Sequence, residues 1–333
     1  MISRYAFSKL IALVVGLICL LIAYNFNSNN IFKISGSAYG TSWSVSSTEF
    51  IADHHEKNIL SIINDIDMIA SNYKVDSEIA LVNKKQINTN IAISDDLFKI
   101  LSIAKEVSLK TQNYYDITLG KISTSMGFSP NFDIDTTSYN LIRTFTLDSV
   151  NQTVSKSSDF WFDLSSIAKG YAVQKIHEYL IENNLLNHLI DIGGEIIIHG
   201  LKYEEPWKVG IQDPSSTNLN AVYVIENNNG SYLSLATSGE YRNLIIKEDG
   251  SKVTHTINPK TLKSIKLDAI SISVLDNKSA TYSDAYATAF NAMDSKLAIQ
   301  VANTNSIPLM LISILDNELV YTYSDKWYDF NNE

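Results

Sequence analysis

Isoleucine recurs at Ile59, Ile62, Ile63, Ile66 and Ile69 between His54 and Asn72, the spacing of one apolar helix face, and the pattern closes at Asn72-Tyr73. A second helix is predicted from Ser94-Asp95-Asp96, a cap followed by an acidic first turn, on through Leu97, Leu101, Ala104 and Val107. A third carries Ala168, Ala172, Ile176, Tyr179 and Leu180 on one side, and a fourth covers Tyr282 to Phe290. Other stretches read as strands. Gly40 to Val45 alternates as a first strand, and Phe145, Leu147, Val150 and Val154 suggest a hairpin across 144–155. Asp191 to His199 reads as one strand whose Gly193-Gly194 pair marks a bulge or a close approach. Asn243 to Ile257 predicts a hairpin around Asp249-Gly250, with His255 on the returning strand. Ala269 to Leu275 adds a strand, and Leu309 to Tyr323 a closing hairpin across Asp316-Asn317. Hairpins interspersed with a few helices, without βαβ alternation or internal repeat, predict an α+β fold of mixed, largely antiparallel sheets with several packed helices.

The N-terminus departs from this patterning. Arg4 and Lys9 precede an apolar run from Leu10 to Tyr24, broken only by Gly16, as in an export signal. Residues 1–24 are a signal peptide or an uncleaved signal anchor, and 25–34, where Asn25, Asn27, Ser28, Asn29 and Asn30 surround Phe26, are a linker. Residues 35–333 form the globular domain. Positive charge ahead of the run places the domain outside, at the periplasmic face of the inner membrane in a Gram-negative cell. Cys19 raises a lipoprotein reading, but Ile18 is not the small residue that such a cysteine normally follows. Cys19 is also the only cysteine, so neither a disulfide framework nor a cysteine zinc site is available. Among 333 residues 45% are hydrophobic, ample for a core, while a net charge of -10 argues against nucleic acid.

Two stretches carry chemistry. In Asp163-Leu164-Ser165-Ser166-Ile167-Ala168-Lys169-Gly170-Tyr171-Ala172 a polar turn runs into a helix. Ser165 or Ser166 can cap it, its first N–H groups are free, and Lys169 adds positive charge, which suits a phosphate. In the second stretch Ser283 reads as an N-cap, and Asp284 and Thr288, four apart, project from one helix face. That pair of oxygens suits Mg2+, which is usually held by one or two protein groups plus substrate phosphates. Each stretch alone also describes an ordinary capped helix. Together they point to Mg2+-dependent phosphoryl-group chemistry on a pyrophosphate ligand. His54 and His55, being adjacent, do not share a helix face and read as solvated.

These stretches resemble the ApbE family of FAD:protein FMN transferases. The likeness runs in order through Gly36 to Trp43, Tyr73 with Ser77-Glu78 and Asn83, Tyr115-Asp116-Ile117-Thr118, Met126-Gly127-Phe128, Asp163 to Ala172, Asp191 to Glu195, Trp207 to Pro214, Thr237 to Arg242, His255 to Pro259, and Ser283 to Thr288. The resemblance implies a roll-type fold and transfer of FMN from FAD to a Thr or Ser hydroxyl of a target protein, with AMP released. It implies a metal site at Asp284, Thr288 and the main-chain carbonyl of Ser166. It also implies a flavin site at or near Tyr39, Tyr73, Tyr114, Tyr115, Asp116, Asp163, Lys169, Glu195, Arg242, His255 and Asn258. In this scheme Asp284 holds Mg2+ and helps deprotonate the attacking hydroxyl, while His255 and Lys169 stabilise pyrophosphate oxygens. Implied partners are exported or membrane redox proteins, such as subunits of sodium-pumping quinone reductase-like complexes. Two departures stand out: Tyr39 replaces a Met that commonly faces the flavin, and Asn258-Pro259-Lys260-Thr261-Leu262 replaces Asp-Pro-x-Thr-Gly. Two other readings remain open, an FAD pyrophosphatase yielding FMN and AMP, and a non-catalytic periplasmic FAD-binding protein.

Overall fold

Strands that follow one another along the chain lie side by side in the main sheet. The computed structural model describes residues 4–130, 135–136, 140–216, 220–239, 244–246, 252–265, 268–316 and 318–332. Its eight-stranded sheet runs β1 (Phe32–Ala38), β2 (Thr41–Ser47), β3 (His188–Ile192), β4 (Glu195–His199), β5 (Leu233–Gly239), β6 (Ala269–Asp276), β7 (Leu309–Leu315) and β8 (Glu318–Tyr323). Every neighbouring pair is antiparallel. Strand periodicity sends alternate side chains to opposite faces. On β7, Leu309 and Leu311 join one core, and Met310 and Ile312 join another.

The first core lies under helices. An N-terminal helix α1 (Arg4–Asn29) stands apart, its apolar side chains from Phe7 to Tyr24 exposed. Over the sheet lie α2 (Asp53–Ala70), α3 (Asp95–Lys110), α4 (Ala168–Glu182), α5 (Ala280–Asn291) and α6 (Ser295–Thr304). The predicted isoleucine face of α2 is buried at Ile59, Ile63 and Ile66. Ser94 caps α3 as its sequence predicts, its Oγ accepting from the Leu97 N–H at 3.2 Å. The opposite face of the sheet is covered by the hairpin Lys208–Gln212/Ala221–Glu226 and by Trp327, around Val209, Ile211 and Ile225. The α+β expectation holds, and the hairpin within 144–155 forms as Phe145–Asp148 against Thr153–Lys156.

Several local expectations are corrected. Asp191 to His199 is a hairpin, β3–β4, rather than one strand. Gly193 and Gly194, at φ 65° and 103°, turn the chain between the paired Ile192 and Glu195. Tyr39 and Gly40, at φ 52° and 74°, make the same kind of two-residue turn between Ala38 and Thr41, so β2 starts after Gly40. Helix α1 continues to Asn29 and β1 starts at Phe32, so most of 25–34 lies within regular elements instead of linker. Leu244–Ile246 pairs with Lys252–Thr254 as predicted, but His255 follows the returning strand, and Asp249-Gly250 lies outside the described residues.

Insertions between sheet neighbours build the site. Residues 48–187 separate β2 from β3 and supply α2, α3 and α4, while 240–268 separate β5 from β6. The two insertions meet where Leu119 and Ile122 pack with Ile257 and where Phe128 stands against His255.

Candidate active site at the α4–α5 crossing

Gly170 sets how closely the two helices approach. A Cβ there would lie 2.5 Å from the Ala280 carbonyl oxygen and 2.6 Å from the Asp284 Cβ. Without it, the Gly170 N–H donates to Asp284 Oδ2 at 2.8 Å, a charge-assisted bond from a first-turn amide of α4. The Lys169 Nζ meets Glu195 Oε2 at 2.5 Å, where β4 begins. Asp284 and Glu195 are 3% and 4% exposed, so two carboxylates and one ammonium share a dry corner.

That balance is one positive charge short. Burial first, and the Glu195 carboxylate second, raise Asp284 well above the ordinary carboxylate range, against the pull of Lys169 and the Gly170 amide. Burial likewise raises Glu195, with Lys169 opposing. A divalent cation would relieve both carboxylates. Thr288, one turn beyond Asp284, is half-buried, and its hydroxyl has no hydrogen-bond partner among the described residues. One carboxylate, a hydroxyl and a carbonyl are hard oxygen donors, so the residues fit Mg2+.

Neither predicted serine cap forms. The residue before α4 is Ile167, with no side-chain cap, and the Ser166 Oγ pairs instead with the Tyr115 hydroxyl at 3.0 Å. Ser283 lies inside α5, bonded to the Ala280 carbonyl, because the helix cap falls at Ser279, four residues earlier than predicted. Asp276 shapes that start, its Oδ1 accepting from the Lys278 and Ser279 N–H groups at 2.7 and 2.8 Å. The Tyr115 phenol is raised by burial, with Asp284 and Asp163 adding to the shift. Asp163 Oδ1 accepts from the Ser165 N–H at 3.0 Å and fixes the turn ahead of α4. Ser166, Lys169, Asp284, Glu195, Tyr115 and Asp163 are thus brought together, with Thr288 on the same helix as Asp284.

A looser rim lies beside this corner. Tyr73 donates to the Phe128 carbonyl at 2.8 Å, and Phe128 stands edge-on to His255 with ring centroids 6.4 Å apart. Lys260 Nζ sits 3.9 Å over the Tyr114 ring. Asn258 Oδ1 accepts from the N–H groups of Lys260 and Thr261 at 2.9 and 3.1 Å, the turn-stabilising role an aspartate would fill. Leu262 takes φ 55°, which a glycine would adopt without strain, and packs with Leu119, Ile122 and Ile257.

Other predicted positions are committed elsewhere. Asp116 accepts from Thr118 and forms an ion pair with Arg143 at 2.8 Å, so its carboxylate serves the fold. Tyr39 donates to the Ile63 carbonyl of α2 at 2.7 Å, which leaves only its ring for a ligand. Arg242 lies outside the described residues. Sequence reasoning missed Arg143, whose loop has no periodicity. It also missed the structural use of Asn83, whose side chain bonds both the N–H and the carbonyl of Phe162 at 2.7 and 3.0 Å, one residue before Asp163.

Comparison with known proteins identifies the family and the fold. The ApbE family model matches residues 39–311. The chain is 32% identical over 310 residues to the FAD:protein FMN transferase of Haemophilus influenzae, covering 87% of this chain and 88% of that protein. It is 30% identical over 298 residues to the Vibrio cholerae protein of the same name, covering 85% and 88%. The solved flavin transferase ApbE from Vibrio cholerae superposes with a TM-score of 0.78 at 28% identity, over 90% of this chain and 100% of that one. A Thermotoga maritima ApbE structure shares the fold at a TM-score of 0.77 and 19% identity. The order of motifs, the fold and the matched span agree: this chain belongs to the ApbE family.

Proposed function

We propose that this chain is an FAD:protein FMN transferase. It joins the FMN half of FAD to a Thr or Ser hydroxyl of a target protein through a phosphoester and releases AMP. The observation that carries this reading is the dry corner in which Asp284, Glu195 and Lys169 meet the start of α4. Asp284, Thr288 and the Ser166 carbonyl would hold Mg2+, which would supply charge neutralisation at the pyrophosphate oxygens.

The chain's own groups divide the remaining work. Lys169 and His255 hold pyrophosphate oxygens, and the first amides of α4 add their dipoles. Asp284, with its carboxylate raised by burial, is suited to take the proton of the attacking hydroxyl. The new bond joins that hydroxyl oxygen to the FMN phosphorus, and the bond to the AMP phosphate breaks. Tyr115 orients Ser166, while the Tyr73–Phe128–His255 rim and the Tyr114–Lys260 stack accept the flavin. Helix α1 keeps the enzyme at the periplasmic face of the inner membrane, where exported or membrane redox proteins are its targets.

The test is mass spectrometry of a Thr-bearing acceptor peptide incubated with the protein, FAD and Mg2+. A mass gain equal to esterified FMN, removed by EDTA and lowered about 1000-fold by Asp284→Ala, is expected. Free FMN and AMP with unmodified acceptor would instead make the chain a pyrophosphatase, and unchanged FAD would make it a binder.

A further inference from the structure

The junction between α1 and the domain is short and pinned. The apolar window Phe7–Tyr24 would span about 27 Å as a helix, close to a bilayer core. Only Asn30 and Ile31 separate α1 from β1. The Tyr203 hydroxyl donates to the Asn30 carbonyl, and Ile31 packs into the second core. The membrane exit is therefore tied to one end of the sheet.

That end is knit together and carries exposed apolar side chains. The Thr48 N–H donates to the Asn187 carbonyl at 3.1 Å, and the Leu201 N–H donates to Asn187 Oδ1 at 2.9 Å. Phe50, 63% exposed, stacks edge-on against Phe32 at 5.3 Å, and Leu186 is 45% exposed. The active site lies away from this end. The ladder Gly36–Trp43–Ile192–Glu195 puts Glu195 level with Gly36. From Asn30 to Gly36 is about 20 Å of extended chain at about 3.3 Å per residue.

We propose that this end of the domain, with Phe50 and Leu186, is seated on the lipid surface that α1 enters, so that the active site opens about 20 Å above it. The occupant is lipid because the membrane-length apolar window ends at Tyr24, only about 9 Å of helix before the pinned Asn30. Resting on the transferase reading, the enzyme's partners are then proteins that present the acceptor hydroxyl on a segment raised from the bilayer, not flush with it.

Full-length Cys19→Ala protein in lipid nanodiscs, with a nitroxide at Phe50→Cys or at Leu315→Cys, tests the seating. Leu315 is 64% exposed at the β7–β8 turn on the opposite end. Relaxation by oxygen should dominate at position 50 and relaxation by a water-soluble nickel chelate at position 315. Equal access of the chelate to both would overturn the seating. In the same nanodiscs, an acceptor Thr raised about 20 Å on a rigid helical spacer should be modified about tenfold faster than one placed at the bilayer surface. Equal rates would overturn the height inference. A soluble acceptor peptide left unmodified would fail the transferase reading instead, while the nitroxide result would still decide the seating.

Discussion

The corner at the α4–α5 crossing and the rim around His255 are built on different principles. In the corner, Asp284 and Glu195 are almost fully buried, and each is held by a partner on another element. At the rim, the Tyr73 hydroxyl donates to the Phe128 carbonyl, the Phe128 ring stands edge-on to His255, and Lys260 stacks on Tyr114. A buried polar group is costly unless satisfied, so the corner's geometry is fixed. Half-exposed groups move cheaply. On the proposed reading, the pyrophosphate end of FAD would meet a rigid site, and the ring end an adaptable one.

The strongest way to break this contrast is Gly170→Ala. The added Cβ would force α4 and α5 apart, at a cost of about 1–3 kcal/mol in stability. Transfer should fall on the order of 100-fold through the displaced Asp284. Thermal unfolding and single-turnover kinetics measure the two effects; full activity at normal stability would show the corner to be pliable.

Protonation sharpens the same point. Because burial raises Asp284 and Glu195, the metal-free fold keeps carboxyl protons that the unfolded chain has lost. This contribution to stability is full below the unfolded carboxylate range and disappears as pH rises through the raised folded values. Mg2+ binding should therefore release protons wherever these carboxyls are still protonated, and tighten as pH increases. Calorimetry in buffers of different ionisation enthalpy detects this directly, and binding without proton release would refute it.

Rim substitutions should be milder. Lys260→Ala removes the cation over Tyr114 and is expected to raise KM for FAD about threefold to tenfold with kcat little changed. An equal loss in kcat would place Lys260 with the corner. Smallest of all is Leu262→Gly, which relieves a left-handed backbone but gives up packing against Leu119 and Ile257. The melting temperature should shift by only about 4 °C or less in either direction.

The same contrast explains what could be read from the sequence. Lys169-Gly170 and Asp284 with Thr288 fall within single helices, where spacing alone assigns faces. The α+β class was legible too, because hairpin signals such as Asp316-Asn317 are local. Helix starts were harder. Ser166 and Ser283 have the chemistry of caps, but Tyr115 engages the first, and Asp276 starts α5 a turn early. The ion pair of Asp116 could not be read from the sequence, because its partner Arg143 lies in a loop without periodicity. The Gly193-Gly194 pair read as a bulge or a close approach within one strand, and the pairing of Ile192 with Glu195 makes it a turn instead.

The sequential sheet has a kinetic consequence. As the chain emerges N-terminus first during synthesis, β1 and β2 can close at once through the Tyr39-Gly40 turn. The outer edge of β2 must then wait, because its partner β3 begins at His188, after the whole insertion 48–187. An unpaired strand edge invites pairing with other chains. The vulnerable interval in making this protein is therefore the emergence of residues 48–187, and holding that edge until β3 arrives is the natural task for a chaperone.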